Sequence, residues 1–270
     1  MKVNDTDSQW KRWGKEEPYF GVLTEEKFLS ANLSLESKAE FFDSGKDYIH
    51  HVLERVRQHT VPGFIPKRVL DFGCGVGRLV VPLSEIAREV IGMDVSDSML
   101  DEARINCRER GIENASFVLS DDAFSMIDGE FNFIHSFIVF QHIPVKKGEK
   151  LFGSLLSYLS DDGVCVVHFT YARPEKRGLR KFASWLRAHI PLAREIANTV
   201  RGKKMSAPEM QMNPYDLNRI ALLMEENNVA NYYTEFIRHG AGIRGVLLYF
   251  QKESDQNRDP KSVLNVAREH

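Results

Sequence analysis

Short apolar runs alternate with amphipathic stretches between residues 67 and 172, and this alternation is the strongest pattern in the chain. Apolar runs bounded by Gly, Asp or Ser are typical of buried strands, whereas apolar residues spaced three and four apart are typical of helices. The predicted strands read RVLDFG, VIGMDVS, SFVLSDD, FNFIHSF and GVCVVHFTY, and the predicted helices cover 78–88, 97–110 and 144–159. Strands that alternate with helices predict crossover connections and a parallel sheet.

Two further strands, NYYTEFIRH and GVLLYFQK, follow a predicted helix over residues 215–228. The connection between them is short and rich in glycine, which predicts antiparallel pairing because parallel neighbours need a long crossover. The fold class is therefore α/β. We expect a Rossmann-like, doubly wound sheet that is mostly parallel, with an antiparallel last strand.

The segments outside the alternating region predict additions to this core. We expect an N-terminal helical cap or lid, an alternating core, a basic helical insert, a C-terminal helix with the strand pair that completes the sheet, and a flexible tail. The cap covers residues 1–66 and the core 67–173. The insert covers 174–213, the C-terminal helix with its strand pair 214–252, and the tail 253–270.

Two of these additions are candidates for contacts with a substrate. The cap begins with a cluster of aromatic residues, which can pack onto the core or form a lid that excludes water: Trp10, Trp13, Tyr19 and Phe20. The insert is rich in Lys and Arg over 174–204 and has apolar residues at helical spacing. A basic amphipathic helix can be a solvated face, can contact an anionic membrane surface, or can accept an acidic substrate.

Composition places the chain among ordinary globular proteins. It has 270 residues, of which 43% are hydrophobic and 27% charged, and its formal net charge is -2. A slightly negative chain gives no electrostatic reason to expect nucleic acid as a partner. The three cysteines are far apart and odd in number, which favours free thiols in a reducing compartment. We therefore expect a cytoplasmic protein.

The stretch VLDFGCGVGRL places glycines at 73, 75 and 77 directly behind the first strand of the core. A glycine-rich turn between the first strand and first helix is where open parallel sheets bind nucleotides. The dinucleotide fingerprint would require a third glycine at position 78, which is arginine here. Asp71, just before the turn, favours a positively charged group over a pyrophosphate.

Asp71–Gly77 resembles motif I of the class I S-adenosylmethionine-dependent methyltransferases, in an uncharacterised bacterial-type branch. The resemblance implies S-adenosyl-L-methionine as cofactor and S-adenosyl-L-homocysteine as product. It implies that Asp71 holds the amino end of the cofactor, that Asp94 accepts both ribose hydroxyls, and that Asp122 accepts from the adenine amino group, with Asp121 as the rival. The other residues placed around the cofactor are Gly73, Cys74, Gly75, Gly77, Val95, Met99, Ala123, Ser136 and Phe137.

The resemblance also bears on the methyl acceptor. Family members that N-methylate amides or adenine carry Asn or Asp followed by Pro-Pro and an aromatic residue after the fourth strand, whereas this chain reads SFIV. No acidic residue stands at Ser136, where metal-dependent relatives place a ligand, so we expect no metal. We predict direct O-methylation of a small-molecule or glycan-type hydroxyl. N-methylation of a small amine and a non-catalytic cofactor-binding scaffold are the alternatives.

A hydroxyl acceptor needs a base, because its proton must leave as the new bond forms. His142 follows the fourth strand, His168 lies near the end of the fifth, and His239 follows the sixth. We predict His142 or His168 as the catalytic base. His135 lies in the middle of a strand and is expected in the core.

Overall fold

The computed structural model describes residues 6–174, 210–229, 231–238 and 242–254. Its helices are α1 (Thr6–Glu16), α2 (Pro18–Val22), α3 (Leu35–His59), α4 (Val80–Ser84), α5 (Asp97–Glu109), α6 (Val145–Ser157) and α7 (Leu217–Glu226). Its strands are β1 (Arg68–Phe72), β2 (Glu89–Asp94), β3 (Ala115–Leu119), β4 (Phe131–Ser136), β5 (Leu159–Ala172), β6 (Tyr232–Arg238) and β7 (Arg244–Gln251). Most of the basic insert, His239 and nearly all of the tail lie outside the described residues.

The seven strands form one sheet in the order β3-β2-β1-β4-β5-β7-β6. The pairs from β3 through β5 are parallel, whereas β7 lies between β5 and β6 and runs antiparallel to both. This confirms the predicted fold class. Because the chain moves outward from β1 to β2 and β3 and then returns to β4 on the other side of β1, the strand order reverses between β1 and β4. In sheets of this kind, ligands bind at the carboxyl ends of the strands beside such a reversal.

Helices cover both faces of the sheet, as the alternating pattern predicts. On one face lies α3, whose residues Phe41, Val52 and Val56 are fully buried against the sheet. Ser34 begins α3 with a capping box, in which its side chain accepts from the Ser37 backbone while the Ser37 hydroxyl accepts from the Ser34 backbone. The other face is covered by α6 and α7, with apolar side chains from both helices in a second core.

One helix is much shorter than its sequence pattern predicts. The apolar spacing indicates a helix over 78–88, but α4 ends at Ser84. The side-chain amide of Asn114 donates to the carbonyls of Ser84 and Ala87, at 2.9 and 3.0 Å. These carbonyls would otherwise accept hydrogen bonds from a continuing helix or from water. The Asn114 side chain, 30 positions after Ser84, replaces those donors, so the helix can end early.

Candidate functional site

The turn after β1 contains glycines whose own backbone, without a Cβ, reaches the edge of the sheet. The N–H groups of Gly73 and Cys74 donate to the carbonyl of Met93 on β2, at 2.7 and 3.0 Å. Gly73 has a φ of 80°, a conformation that residues with a Cβ rarely adopt. A Cβ at Gly73 would also overlap the side chain of Val139. Glycine is therefore required there by conformation and by space, and it leaves the backbone open to the crevice described next.

A crevice lies at the carboxyl edge of the sheet, beside the reversal in strand order. Its floor comes from the ends of β1 and β2 and from the segments after β3 and β4, and α1 with residues 21–22 covers part of it. Most of its side chains are apolar. The residues lining it include Trp10, Val22, Gly73, Gly75, Asp94, Val95, Met99, Ser120, Asp122, Phe137, Ile138, Val139, His142, Ile143 and Lys147.

Asp94 ends β2 with its carboxylate at the floor of this crevice. Its Oδ2 accepts from the Gly75 N–H at 3.0 Å, and its Oδ1 accepts from the Ser96 N–H at 3.0 Å. Desolvation raises the pKa of Asp94 to about 6, although both backbone donors favour the charged form. Each oxygen keeps a further lone pair, so the carboxylate can accept two more hydrogen bonds from a ligand.

The structure separates the two rival aspartates after β3. Asp121 accepts from the backbone N–H groups of Ala123 and Ser125 and from the Ser125 hydroxyl, and these bonds lower its pKa. It therefore shapes its own turn. Asp122 lines the crevice, and its Oδ1 lies 2.9 Å from Nζ of Lys147. Of the two, Asp122 is the residue whose position agrees with contact to a bound ligand.

Beneath the glycine turn lies a second, smaller pocket, lined by Asp71, Cys74, Arg78 and Phe137 among others. Asp71 is 2% exposed and Arg78 only 6%. The Arg78 guanidinium donates to the Ser44 hydroxyl at 3.3 Å and lies 5.8 Å from the Tyr48 ring centroid, but its Nε is buried without a hydrogen-bond partner. A buried arginine with an unused donor beside a buried carboxylate is a site that fits an ionic ligand.

The remaining residues that the resemblance implicates fall into two groups. Val95, Met99, Gly75 and Phe137 line the crevice. The others lie outside its lining within the described part of the chain. Gly77 packs against Ala103 of α5, the Ser136 hydroxyl donates to the Phe72 carbonyl at 2.9 Å, and Ala123 is exposed in the turn held by Asp121. Their roles toward a ligand stay predictions.

His142 lines the crevice, and protein groups engage both of its ring nitrogens. Nδ1 lies 2.7 Å from the Gln211 carbonyl, and because a carbonyl can only accept, Nδ1 carries the proton. Nε2 then accepts from the side-chain amide of Gln141 at 3.1 Å, and the Gln141 oxygen accepts from the Thr170 hydroxyl at 2.7 Å. Burial lowers the pKa of His142 to about 4. The imidazole is neutral at physiological pH, with Nε2 as its basic nitrogen.

His168 is fully buried and is not among the residues that line the crevice. Its ring lies against Phe137, with ring centroids 5.4 Å apart, and points toward Gly245 of β7, where any Cβ would overlap Nε2. The geometry corrects the expectation that His168 faces the same cleft as His142. The reason is the two-residue alternation of β5, which turns this side chain toward the α3 side of the sheet.

Sequence reasoning missed the residues that join α1 to the crevice. Nζ of Lys147 lies 3.0 Å from Asp7 of α1 as well as close to Asp122, and Trp10 of α1 packs edge-on against His142, with centroids 4.7 Å apart. No sequence signal links Lys147 to a residue 140 positions earlier. Arg78 was also missed, although a charged residue directly after the third glycine of an otherwise apolar stretch is a visible signal.

Comparison with known proteins shows which family the residues of this sheet edge resemble. Residues 69–163 match the family model described as a methyltransferase domain. The match spans β1 to the first part of β5, so it includes the glycine turn, Asp94 and Asp122. Over these residues the chain is similar to that methyltransferase domain. The sheet of this chain extends beyond the matched residues through the rest of β5, β6 and β7.

Solved structures of methyltransferases share the fold of this chain. Magnesium protoporphyrin IX methyltransferase (ChlM) from Synechocystis PCC 6803 with bound SAM matches with a TM-score of 0.57 and 15% identity, covering 94% of this chain and 100% of that one. The N-methyltransferase NodS from Bradyrhizobium japonicum WM9, in complex with S-adenosyl-L-homocysteine, matches with a TM-score of 0.55 and 12% identity, covering 93% and 100%. At these identities the likeness shows the fold.

Among curated proteins, the 23S rRNA (uracil(1939)-C(5))-methyltransferase RlmD of Burkholderia thailandensis is 28% identical over 96 residues. The matched part is 36% of this chain and 21% of that protein, so the chain matches about a fifth of the length of this relative. The similarity concerns one shared domain.

The described residues contain neither a metal-binding cluster nor a membrane-spanning helix. Within these ranges, no group of three or more His, Cys, Asp and Glu side chains is arranged to hold a metal ion. No described helix has both the length and the apolar character needed to cross a bilayer.

Proposed function

We propose that this chain is an S-adenosylmethionine-dependent methyltransferase that methylates the hydroxyl of a small molecule or a glycan-type acceptor by direct displacement. The observation that carries the proposal is the bare glycine turn beside the Asp94 carboxylate, both opening into one crevice at the reversal in strand order. The methyltransferase-domain match over 69–163 supports the reaction class.

The residues of the crevice fit this cofactor in their chemistry. The two oxygens of Asp94 suit the two hydroxyls of a ribose, since one carboxylate can accept from both. Val95 and Met99 offer apolar contact to an adenine, and Asp122 an acceptor for its amino group. When bound, the cofactor supplies an electrophilic methyl group on a sulfonium. The protein's main task is then to position the acceptor in line with that group.

The second pocket fits the amino-acid end of the cofactor. Arg78 would receive the carboxylate, because its buried Nε lacks a partner and a guanidinium matches a carboxylate geometrically. Asp71 would receive the ammonium group. Val22 and Phe137 line both this pocket and the crevice, which supports one continuous ligand site.

His142 is the proposed base for the hydroxyl proton. Its neutral imidazole is fixed by the Gln211 carbonyl so that Nε2 is the basic nitrogen. A pKa of about 4 makes it a weak base, so it would accept the proton late in the transfer, as the new bond makes the acceptor oxygen increasingly acidic. The Gln141 amide must release Nε2 before the proton can move there.

The walls of the crevice favour a small acceptor with apolar surface. Ile138, Val139 and Ile143 line it on the side of β4, and Trp10 of α1 closes it beside His142. A covered, largely apolar space fits part of a small molecule better than an intact nucleic-acid duplex, whose recognition needs an open basic surface. N-methylation of a small amine would use the same crevice without the base.

The division of the chain is part of the proposal. Residues 1–66 would act as a cap over the core at 67–173, and 214–252 would complete the sheet. The contacts of α1 with Lys147 and His142 support the cap. Gln211, near the C-terminal end of the proposed insert at 174–213, contacts His142, so this end of the insert lies beside the crevice. Contact of 174–204 with an anionic membrane is an alternative role.

Transfer of a labelled methyl group from S-adenosylmethionine to pools of acceptors tests the proposal. The pools should hold phenols and other hydroxyl compounds, glycans, small amines and RNA, each assayed with wild-type protein, Asp94→Ala and His142→Ala. We expect label in a hydroxyl pool, loss of that label with Asp94→Ala because cofactor binding fails, and transfer reduced by about a hundredfold with His142→Ala.

Other outcomes would decide against defined parts of the proposal. Label in amines that His142→Ala leaves unchanged would replace O-methylation with N-methylation and remove the base. Label in RNA alone would overturn the small acceptor. Tight cofactor binding by calorimetry without transfer to any pool would favour a non-catalytic scaffold, whereas tight NAD binding without S-adenosylmethionine binding would overturn the cofactor.

A further inference from the structure

A line of buried polar groups runs from the end of β1 to helix α3. Nδ1 of His135 on β4 lies 2.9 Å from Oδ1 of Asp71, and Nε2 of the same ring lies 3.2 Å from the hydroxyl of Tyr48 on α3. Asp71 is 2% exposed and His135 is fully buried. The three side chains join two neighbouring central strands to the helix that covers them.

The acceptor chemistry of Asp71 sets the direction of these hydrogen bonds. A carboxylate can only accept, so Nδ1 of His135 carries a proton and donates it to Asp71. In the neutral imidazole Nε2 is then an acceptor, and the Tyr48 hydroxyl donates to it. Tyr48 therefore fixes the tilt of the ring, and the ring fixes the position of one Asp71 oxygen.

Apart from its two hydrogen-bond partners, His135 has aromatic surroundings. The Phe133 ring centroid lies 6.2 Å and the Tyr48 ring centroid 5.6 Å from that of His135. A buried polar side chain must be compensated by hydrogen bonds, whereas an apolar side chain would fill the same place without that cost. What the histidine adds is a donor aimed at Asp71.

The other oxygen of Asp71 is left for a ligand. The hydrogen bond to His135 uses Oδ1, and within the described residues Oδ2 of Asp71 has no hydrogen-bond partner. Asp71 lines the smaller pocket together with Arg78. A carboxylate held by one oxygen and open at the other can meet an ammonium group in one defined direction.

We propose that His135, held by Tyr48, is a positioning residue that orients the Asp71 carboxylate toward the ammonium group of the cofactor's amino-acid end. The inference rests on the proposed function, because it takes S-adenosylmethionine as the ligand. It goes further by assigning a role in cofactor binding to a buried histidine and to a tyrosine of the N-terminal cap. Neither residue touches the reacting atoms.

Calorimetry with two ligands tests this role. S-adenosylhomocysteine carries the amino-acid end, whereas 5′-methylthioadenosine lacks it and keeps the adenosine part. We expect His135→Leu to weaken S-adenosylhomocysteine binding about tenfold, since one hydrogen bond to a charged group is lost, and to leave methylthioadenosine binding within about twofold. His135→Asn should restore most of the affinity, because its amide can donate from the place of Nδ1.

Tyr48→Phe removes one hydroxyl from the line and serves as the milder variant if His135→Leu does not fold. We expect it to weaken S-adenosylhomocysteine binding about threefold and to leave methylthioadenosine binding unchanged. Tyr249→Phe is the matched control. Its hydroxyl also donates to a carboxylate, that of Glu235 at 2.6 Å, and neither Tyr249 nor Glu235 lines either pocket.

Equal weakening of both ligands by His135→Leu and by Tyr48→Phe would overturn the inference, because a purely structural role affects the whole site. Unchanged S-adenosylhomocysteine binding by both variants would overturn it as well. Wild-type protein that binds neither ligand would instead overturn the proposed cofactor, so the two failures are distinguishable.

Discussion

At the scale of single residues, two groups in the crevice differ in how they respond to pH. Asp94 has its pKa raised to about 6, and His142 has its pKa lowered to about 4, in both cases chiefly because burial disfavours the charged form. At pH 7.5 the carboxyl is mostly charged and the imidazole is neutral. These are the forms that ribose binding and proton acceptance require.

The cofactor affinity should therefore fall below pH 6. A protonated Asp94 can no longer accept from both ribose hydroxyls, so the affinity for S-adenosylhomocysteine should drop by up to about tenfold for each pH unit below 6. Calorimetry at pH 5 and pH 7.5 measures this, and Asp94→Asn should bind weakly at both. A wild-type affinity that is equal at the two values would contradict the role of Asp94, since His142 does not titrate in this range.

At the scale of elements, α1 closes the crevice because one residue without a side chain lets it approach α5. A Cβ at Gly14 would overlap the Ser96 hydroxyl and lie 3.0 Å from Cγ of Met99. Ser96 is the N-cap of α5, and its hydroxyl accepts from the Met99 N–H. The start of α5, which also supplies crevice residues, is thus packed directly under the covering helix.

Gly14→Ala should loosen α1 even though alanine is the better helix former. We expect the overlap to destabilise the packed helix by about 1–3 kcal/mol and to increase hydrogen exchange over residues 6–16. Gly153→Ala in α6 is the matched control, because the nearest atom to its Cβ would be 4.0 Å away and the helix propensity gain of about 1 kcal/mol is then unopposed. Equal exchange in both variants would show that α1 does not depend on this contact.

At the scale of the whole molecule, the ligand site depends on parts of the chain that are far apart in sequence. The ends of β1 and β4 meet beside the reversal in strand order, α1 covers them, and α3 braces them from one face. A ligand that contacts all of these parts binds the folded state only, so its binding free energy adds to the free energy of unfolding.

S-adenosylhomocysteine should raise the melting temperature of the protein. At a hundred times its Kd, a ligand of the folded state stabilises by about 2.7 kcal/mol, which in a chain of this size corresponds to roughly 5–10 °C. Thermal unfolding followed by circular dichroism measures the shift, with NAD at the same concentration as the comparison. A shift with NAD and none with S-adenosylhomocysteine would contradict the proposed ligand.

The sequence by itself determined the alternating core, the direction of β7, the glycine turn at Gly73 and the position of Asp94 at a strand end. These features follow from periodicity and from turn chemistry, which depend on neighbouring residues. Only the tertiary structure placed Asp122 in the lining of the crevice and Asp121 in its own turn, turned His168 away from the crevice, buried Arg78 beside Asp71, and brought Lys147 to Asp7. Each of these depends on which side chains meet across the fold, and local sequence does not encode such meetings because packing of distant segments sets them.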